Sequence, residues 1–300
     1  MESIRKSLHA AVVIGGVNMD ICGKPFIRTV RRDSNPGRIS CSPGGVGRNI
    51  AHDLRLLGSE VSLIAAFGGD AMGNELLESC RELGIDTSMS LQLSSESSSC
   101  YMYISDERGD MLLAVSDMDI TKRITPEHIA ENIDRINSFD AAVLDANLEE
   151  ETLLFAAEHI RIPVFADPVS AAKAQRLKKA LPYLTALKPN LLEAQTLTGR
   201  VRAEDCARAL VDMGVKKVFV SMGADGIIAA EGDRIIKLPA EACRTVNTTG
   251  AGDAAAAALV WAGMEGMKTE KAAALSMKAA ALTCGSERAN CPELADITKG

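Results

Sequence analysis

NTTGAGDAAAAAL, residues 247–259, sets three residues with almost no side chain, Gly250, Ala251 and Gly252, directly ahead of a carboxylate and an alanine-rich run. Alanine is the strongest helix former, so the run predicts a helix whose first turn contains Asp253. Bare backbone N–H groups approach an anion closely, and a helix N-terminus favours negative charge, so the stretch has the composition of a phosphate-handling loop. Asp253 then has two readings. It is a first-turn carboxylate stabilised by the helix dipole, or it is a general base that takes a proton from a hydroxyl attacking a phosphoryl group.

Outward from this stretch, short β-rich apolar runs alternate with helical periodicity, the pattern of βαβ units and a parallel sheet covered by helices. AVVIGG (11–16), EVSLIAAF (60–67), DAAVLDAN (140–147), IPVFADPV (162–169), TALKPN (185–190) and KKVFVSMG (216–223) read as strands. VGRNIAHDLRLLG (46–58) has apolar residues at 46, 50, 54 and 57 and stops at Gly58; residues 71–84 and 203–214 end on glycine in the same way. Two segments break the alternation. Residues 21–41 contain the turn chemistry of Asp33-Ser34-Asn35-Pro36-Gly37, and residues 98–118 hold two alternating runs around a turn from Asp106 to Gly109. Both predict antiparallel strands away from the main sheet, either an ordinary edge hairpin or a small β-layer acting as a lid or a dimerisation surface. The expectation is one α/β domain over residues 1–300, with a lid made from 21–41 and 98–118.

Composition narrows the partners. Forty acidic residues against 33 basic ones give a net charge of -7, which argues against nucleic acid or an anionic membrane as the main partner. Apolar stretches are broken well before the ~20 residues of a membrane helix. MESIRKSLHAAVVIGG lacks the small-residue cleavage site of a signal peptide, so a cytoplasmic protein is expected. The eight cysteines include no CxxC pair; Cys284 and Cys291 are close enough in sequence for a disulfide to be considered.

Four further clusters carry polar groups beside bare backbone. GGVNMD (15–20) ends the first strand and presents Asn18 and Asp20; PGGVGRN (43–49) offers Gly44, Gly45 and Asn49. Amides and carboxylates beside exposed backbone suit vicinal hydroxyls, which need donors and acceptors together. In KPNLLEA (188–194), Asn190 and Glu193 lie three apart at a strand-to-helix junction. They form a helix cap, or they serve a nucleotide site in which Asn190 lies near phosphates and Glu193 holds Mg2+ through water. VSMGADG (220–226) places Ser221 and Gly223 at a strand end, as a hairpin turn or as a nucleotide contact.

GGVNMD, PGGVGRNIA, FGGDAMG (67–73), KPNLLEA, SMGADG and NTTGAGD, in this order and across nearly the whole chain, resemble the ribokinase-like carbohydrate kinases of the PfkB family. The resemblance implies a doubly wound, mostly parallel sheet flanked by helices, with a small β lid of the kind that often mediates homodimerisation. It also implies ATP as phosphoryl donor with Mg2+, and a sugar or nucleoside alcohol as acceptor. On matching positions it makes Asp253 the base and Gly250, Ala251 and Gly252 the anion hole. Asn18, Asp20, Gly44, Gly45 and Asn49 become hydroxyl binders, and Asn190, Glu193, Ser221 and Gly223 the ATP side. DSNPGRI (33–39), LDAN (144–147), DPVSAAKAQRL (167–177) and the Asn that opens NTTGAGD resemble the pseudouridine kinase subgroup, which adds Asn147 and Lys173 as acceptor contacts; for Lys173 a surface position on its helix is the plainer reading. Asn247 stands where relatives carry an Asp beside a K+ site, so the amide weakens the expectation of that ion. The alternatives are a kinase of the same family for ribose, another nucleoside or a hexose, a non-catalytic sensor on this fold, and a dinucleotide oxidoreductase. The last would need a glycine fingerprint directly after the first strand, and GGVNMD lacks that form.

Overall fold

The computed structural model describes residues 9–108 and 110–298. MESIRKSL and Gly109, which belong to the leader reading and the second predicted turn, lie outside the described residues. β1 (Ala10–Ile14) is followed by β2 (Asn18–Pro25), β3 (Gly37–Gly44), α1 (Val46–Leu56) and β4 (Glu60–Ile64). β5 (Ala66–Gly68), α2 (Ala71–Glu82), β6 (Leu91–Leu93), β7 (Cys100–Ser105), β8 (Met111–Asp117) and α3 (Pro126–Ile136) come next. The chain continues through β9 (Ala141–Asp145), α4 (Glu150–His159), β10 (Val164–Asp167), α5 (Ala171–Ala174), β11 (Ala186–Leu187), α6 (Leu191–Thr198), α7 (Ala203–Asp212) and β12 (Lys217–Ser221). A hairpin of β13 (Ile227–Glu231) and β14 (Arg234–Leu238) precedes α8 (Ala251–Met264) and α9 (Thr269–Cys284). α1, α2 and α7 stop two residues before Gly58, Gly84 and Gly214, whose φ of 89°, 67° and 104° turn the chain out of the helix.

The main sheet runs β14-β13-β12-β11-β10-β9-β1-β4. Pairing is parallel from β4 to β12 and antiparallel through the β12–β13–β14 meander. Strand side chains alternate between faces, so apolar residues at consecutive positions feed two separate cores. Val12, Ile14, Leu144, Ala166 and Leu187 pack with Ile129 of α3, Leu153 of α4, Leu197 of α6 and Leu210 of α7. Val13, Val143, Phe165 and Phe219 pack with Ile50 and Leu54 of α1, Leu76 of α2, Leu259 of α8 and Met277 of α9. Full burial of each of the Val, Leu, Ile, Phe and Met side chains among them stabilises the fold by about 1.5–3 kcal/mol. This is the doubly wound, ribokinase-like arrangement the motifs imply. Because β1 lies between β4 and β9, the winding direction reverses there, and a crevice opens at the carboxyl ends of β1 and β9.

The two inserted segments form one four-stranded sheet, β3-β2-β7-β8. Each hairpin is antiparallel as expected, but β2 and β7 join them in parallel. Its strands also reach closer to the main sheet than the segments 21–41 and 98–118, since β2 begins at Asn18 and β3 ends at Gly44. Register separates the two faces. Cys41, Ile21, Met102 and Val115 align across the sheet on one face, as do Ile39, Gly23, Ile104 and Leu113. Ile39, Leu113 and Val115 of that apolar face are 76%, 62% and 63% exposed. The opposite face aligns Ser42, Asp20, Tyr101 and Ser116. All eight cysteines are free; the considered Cys284–Cys291 bridge is not formed, and the Cys291 thiol donates instead to Glu293 (2.9 Å). Among the described residues no helix is long and apolar enough to cross a membrane.

Candidate active site

The floor of the crevice is built from the glycines that follow β1 and the polar side chains at and just past the end of β9. A methyl group at Gly15 would collide with the Asp145 carboxylate, and one at Gly16 with the Asn147 amide. The bare backbone therefore lets Asp145 accept from Gly16 N (2.8 Å) and from Asn147 N (2.9 Å). Burial pushes Asp145 up to about 6, against those hydrogen bonds. Lys173 is brought to Asn147, its Nζ donating to Oδ1 at 2.6 Å, while Arg176 holds the carbonyls of Asn147 (3.1 Å) and Leu148 (3.2 Å). Lys173 is thus half-buried at the crevice rather than free on the surface. Asn18 donates to Asp20 (2.6 Å), and Gly44, opposite Asn18 in the ladder, leaves room for the Asp20 carboxylate. Burial raises Asp20 above the usual carboxylate range.

The second wall is the start of α8. Gly250 adopts φ 81°, a conformation that admits glycine readily, and a methyl there would strike the Ala289 carbonyl. α8 has no side-chain cap; Ala251 N donates to the Thr248 carbonyl (3.3 Å), and the other first-turn N–H groups of the Gly250–Asp253 loop lack a capping side chain. Asp253 accepts from Asn49 Nδ2 at 2.8 Å, which joins the glycine-rich helix entry at residue 45 to the start of α8. Burial, with repulsion from Asp167 and Asp145, pushes Asp253 up to about 7, while Asn49 and Lys188 oppose the rise. A carboxylate with that value exchanges a proton near neutral pH. Lys188, 7% exposed at the end of β11, lies 3.2 Å from Asp167 Oδ2. Burial alone would lower it, but Asp167, Glu193 and Asp253 outweigh burial and hold it above the ordinary lysine value.

On the far side of α8, a cleft of about 700 Å3 is lined by Asn190, Ser221, Gly223, Gly252, Met277 and Cys284. Asn190 and Glu193 form a capping box: Asn190 Oδ1 accepts from Glu193 N (2.9 Å), Glu193 Oε2 accepts from Asn190 N (2.8 Å), and Oε1 accepts from Asn190 Nδ2 (2.8 Å). Burial and Asp167 raise Glu193 above its ordinary value. The Ser221–Gly226 segment is both the hairpin turn between β12 and β13 and part of the cleft wall.

Residues 9–295 match the pfkB family carbohydrate kinases. The chain belongs to that family. It is 35% identical over 291 residues to a pseudouridine kinase of Escherichia coli (strain K12), covering 94% of this chain and 93% of that one. Among solved structures it is similar to a carbohydrate kinase from Agrobacterium tumefaciens, with a TM-score of 0.86, 31% identity and 97% of each chain covered. The ribokinase of Arabidopsis thaliana, complexed with ribose and ATP, shares the fold at a TM-score of 0.84 and 20% identity, covering 98% of this chain and 99% of that one. The protein is a phosphotransferase with an alcohol acceptor.

This kinase has site residues that the motifs did not bring out. Asp145, Asp167 and Lys188 sit at the carboxyl ends of otherwise apolar strand runs, and a polar residue in that position was the available signal. Asn290 had none. Its Nδ2 donates to Asp53 Oδ1 (2.9 Å) and to the Asn49 carbonyl (3.2 Å), tying the C-terminal segment to α1, whose Asn49 side chain donates to Asp253. Asp53 is fully buried, and its pKa lies well above the ordinary value because of that burial. Asn247 Oδ1 accepts from Thr249 N (2.9 Å) and its Nδ2 donates to the Glu287 carbonyl (3.2 Å), so its side chain fastens the loop ahead of Gly250.

Proposed function

We propose that this kinase transfers the γ-phosphoryl group of ATP to the 5'-hydroxyl of pseudouridine, giving pseudouridine 5'-phosphate and ADP. The observation that carries the reading is the position of Asp253. It lies between the hydroxyl-suited floor of β1 and β9 and the cleft of about 700 Å3, hydrogen-bonded to Asn49 and raised to about 7.

In this scheme Asn18, Asp20, Gly44, Gly45 and Asn49 bind the ribosyl hydroxyls, and Asn147 with Lys173 contacts the acceptor. Asp253 orients the 5'-hydroxyl and takes its proton as the oxygen attacks phosphorus. The backbone N–H groups of Gly250, Ala251 and Gly252 receive the charge that spreads over the transferring phosphoryl oxygens, where most catalysis of this reaction resides. Lys188, beneath Gly252, adds a fixed positive charge. Asn190, Ser221 and Gly223 hold the nucleotide in the cleft. Asp167, Glu193 and Asp253 act on the single buried lysine, Lys188, and among the described residues no three acidic, histidine or cysteine side chains converge as a metal site, so Mg2+, which neutralises phosphate charge when bound, would be held mainly by the nucleotide phosphates and water. Glu193 would hold it through water, because each of its oxygens already accepts from Asn190. The Asn247 side chain is committed to its own loop, so the scheme assigns it no K+ ligand.

The β3-β2-β7-β8 sheet acts as the lid over the acceptor, excluding water during transfer. Its exposed apolar face pairs with the same face of a second copy, making a homodimer. The absence of a spanning helix among the described residues and the net negative charge suit a cytoplasmic enzyme acting on small molecules. The deciding experiment is ADP release with ATP, Mg2+ and a panel of pseudouridine, uridine, adenosine, ribose and fructose. Turnover with pseudouridine but not uridine is expected, and turnover with ribose alone overturns the assignment.

A further inference from the structure

The geometry points to Tyr101 and Tyr103, on the cleft-side face of the lid, as an aromatic wall that receives the base of the acceptor and so separates nucleosides from free sugars. The inference rests on the nucleoside reading and deepens it. Strand register fixes which face these rings occupy. Tyr101 pairs laterally with Asp20 on β2 and with Ser116 on β8, and Tyr103 pairs with Cys22 and Ala114. They therefore share the face of Asp20, which the Asn18 bond and Gly44 tie to the crevice. The other face leads away from the crevice, because Met19 packs in the core with Leu76 of α2 and Ile21 packs against that core. Met102 and Ile104, which alternate with the tyrosines, lie on that outer face and are 47% and 43% exposed, whereas both tyrosines are half-buried.

The two rings form a pair, with centroids 5.9 Å apart and planes tilted by 36°. Each is flanked by a neighbour: the Tyr101 hydroxyl donates to the Met111 sulfur (3.5 Å), and Tyr103 lies beside its ladder partner Cys22, which raises its phenol to about 12. The chain has three tyrosines, one tryptophan and six phenylalanines, so two neighbouring rings on one short strand make an unusual concentration. A free pentose has no π face, whereas a nucleobase gains from an aromatic platform whatever its hydrogen-bonding edge. The wall thus gives selectivity for the class of base-bearing acceptors, and the choice among bases falls to polar groups such as Asn147 and Lys173.

The test compares wild type, Tyr101→Ala, Tyr103→Ala and the ring-preserving Tyr101→Phe and Tyr103→Phe on pseudouridine, uridine, adenosine and ribose. In each alanine variant kcat/KM for the base-bearing acceptor is expected to fall about tenfold or more, through KM, while the value for ribose and the KM for ATP stay within about twofold. The phenylalanine variants should keep the wild-type ratio of nucleoside to ribose. Tyrosine emission of the wild type should change when the nucleoside is added and stay constant with ribose. An equal fall for nucleoside and ribose, or an unchanged ratio in both alanine variants, overturns the wall while leaving the kinase assignment intact. A wild-type enzyme that phosphorylates ribose and none of the three nucleosides overturns both.

Discussion

Asn49→Ala tests how the protein sets the charge of Asp253. Asp253 stands at about 7 instead of 3.8, a difference of about three units or on the order of 4 kcal/mol against the ionised form. The ionised carboxylate is the form that accepts the proton, so kcat/KM rises with pH through about 7 and is about tenfold lower at pH 6 than at pH 8. Asn49 donates to that carboxylate at 2.8 Å and favours its charged form. A hydrogen bond to a charged group contributes about 1.5–3 kcal/mol, so its removal should move the acid limb upward by about one to two units. At pH 7 the variant then loses about 5- to 50-fold through ionisation alone, and raising the pH to about 9 recovers most of that loss. Initial rates of ADP formation at subsaturating acceptor, from pH 5.5 to 9.5, measure the limb. A limb that stays in place, or one that moves to lower pH, refutes the argument that Asn49 stabilises an ionised Asp253.

Asp253→Asn should lower kcat by about 10^2- to 10^4-fold while ATP and nucleoside still bind in calorimetry. The same variant should be more stable than wild type at pH 8 but not at pH 4. A raised carboxyl makes the folded state bind more protons than the unfolded state between 3.8 and about 7, so stability falls as pH rises through that window, and the amide removes the penalty. Lys173→Met breaks the 2.6 Å bond to Asn147 and should raise the acceptor KM about tenfold with the ATP KM unchanged in steady-state rates. Leu113→Glu, at a 62% exposed position on the apolar face of the β3-β2-β7-β8 sheet, should convert the proposed dimer to a monomer by light scattering; an unchanged mass removes that face from the interface.

Much of this protein is legible in one dimension because the relevant physics is local. The strands at 11–16, 140–147 and 216–223, the helices ending ahead of Gly58, Gly84 and Gly214, and the glycine-rich loop before Asp253 follow from hydrophobic period, turn chemistry and side-chain size acting within a few residues. The four-stranded inserted sheet is legible as two patches of alternation. Their union is not, since the parallel pairing of β2 with β7 joins residues about 80 positions apart and has no signature inside either segment.

The sequence by itself determined the alternation of elements, the family and the identity of the polar groups, because those depend on residue type and order. Only the tertiary structure decided that Asn49 meets Asp253 across 204 positions, that Lys188 lies buried against Asp167, and that Asn290 braces Asp53. Those pairings set the charge state on which phosphoryl transfer would depend. A carboxylate at 3.8 becomes one near 7 only when burial strips its water and distant chain segments supply the neighbouring charges. Burial and through-space charge are properties of the packed chain and have no counterpart in the order of its residues.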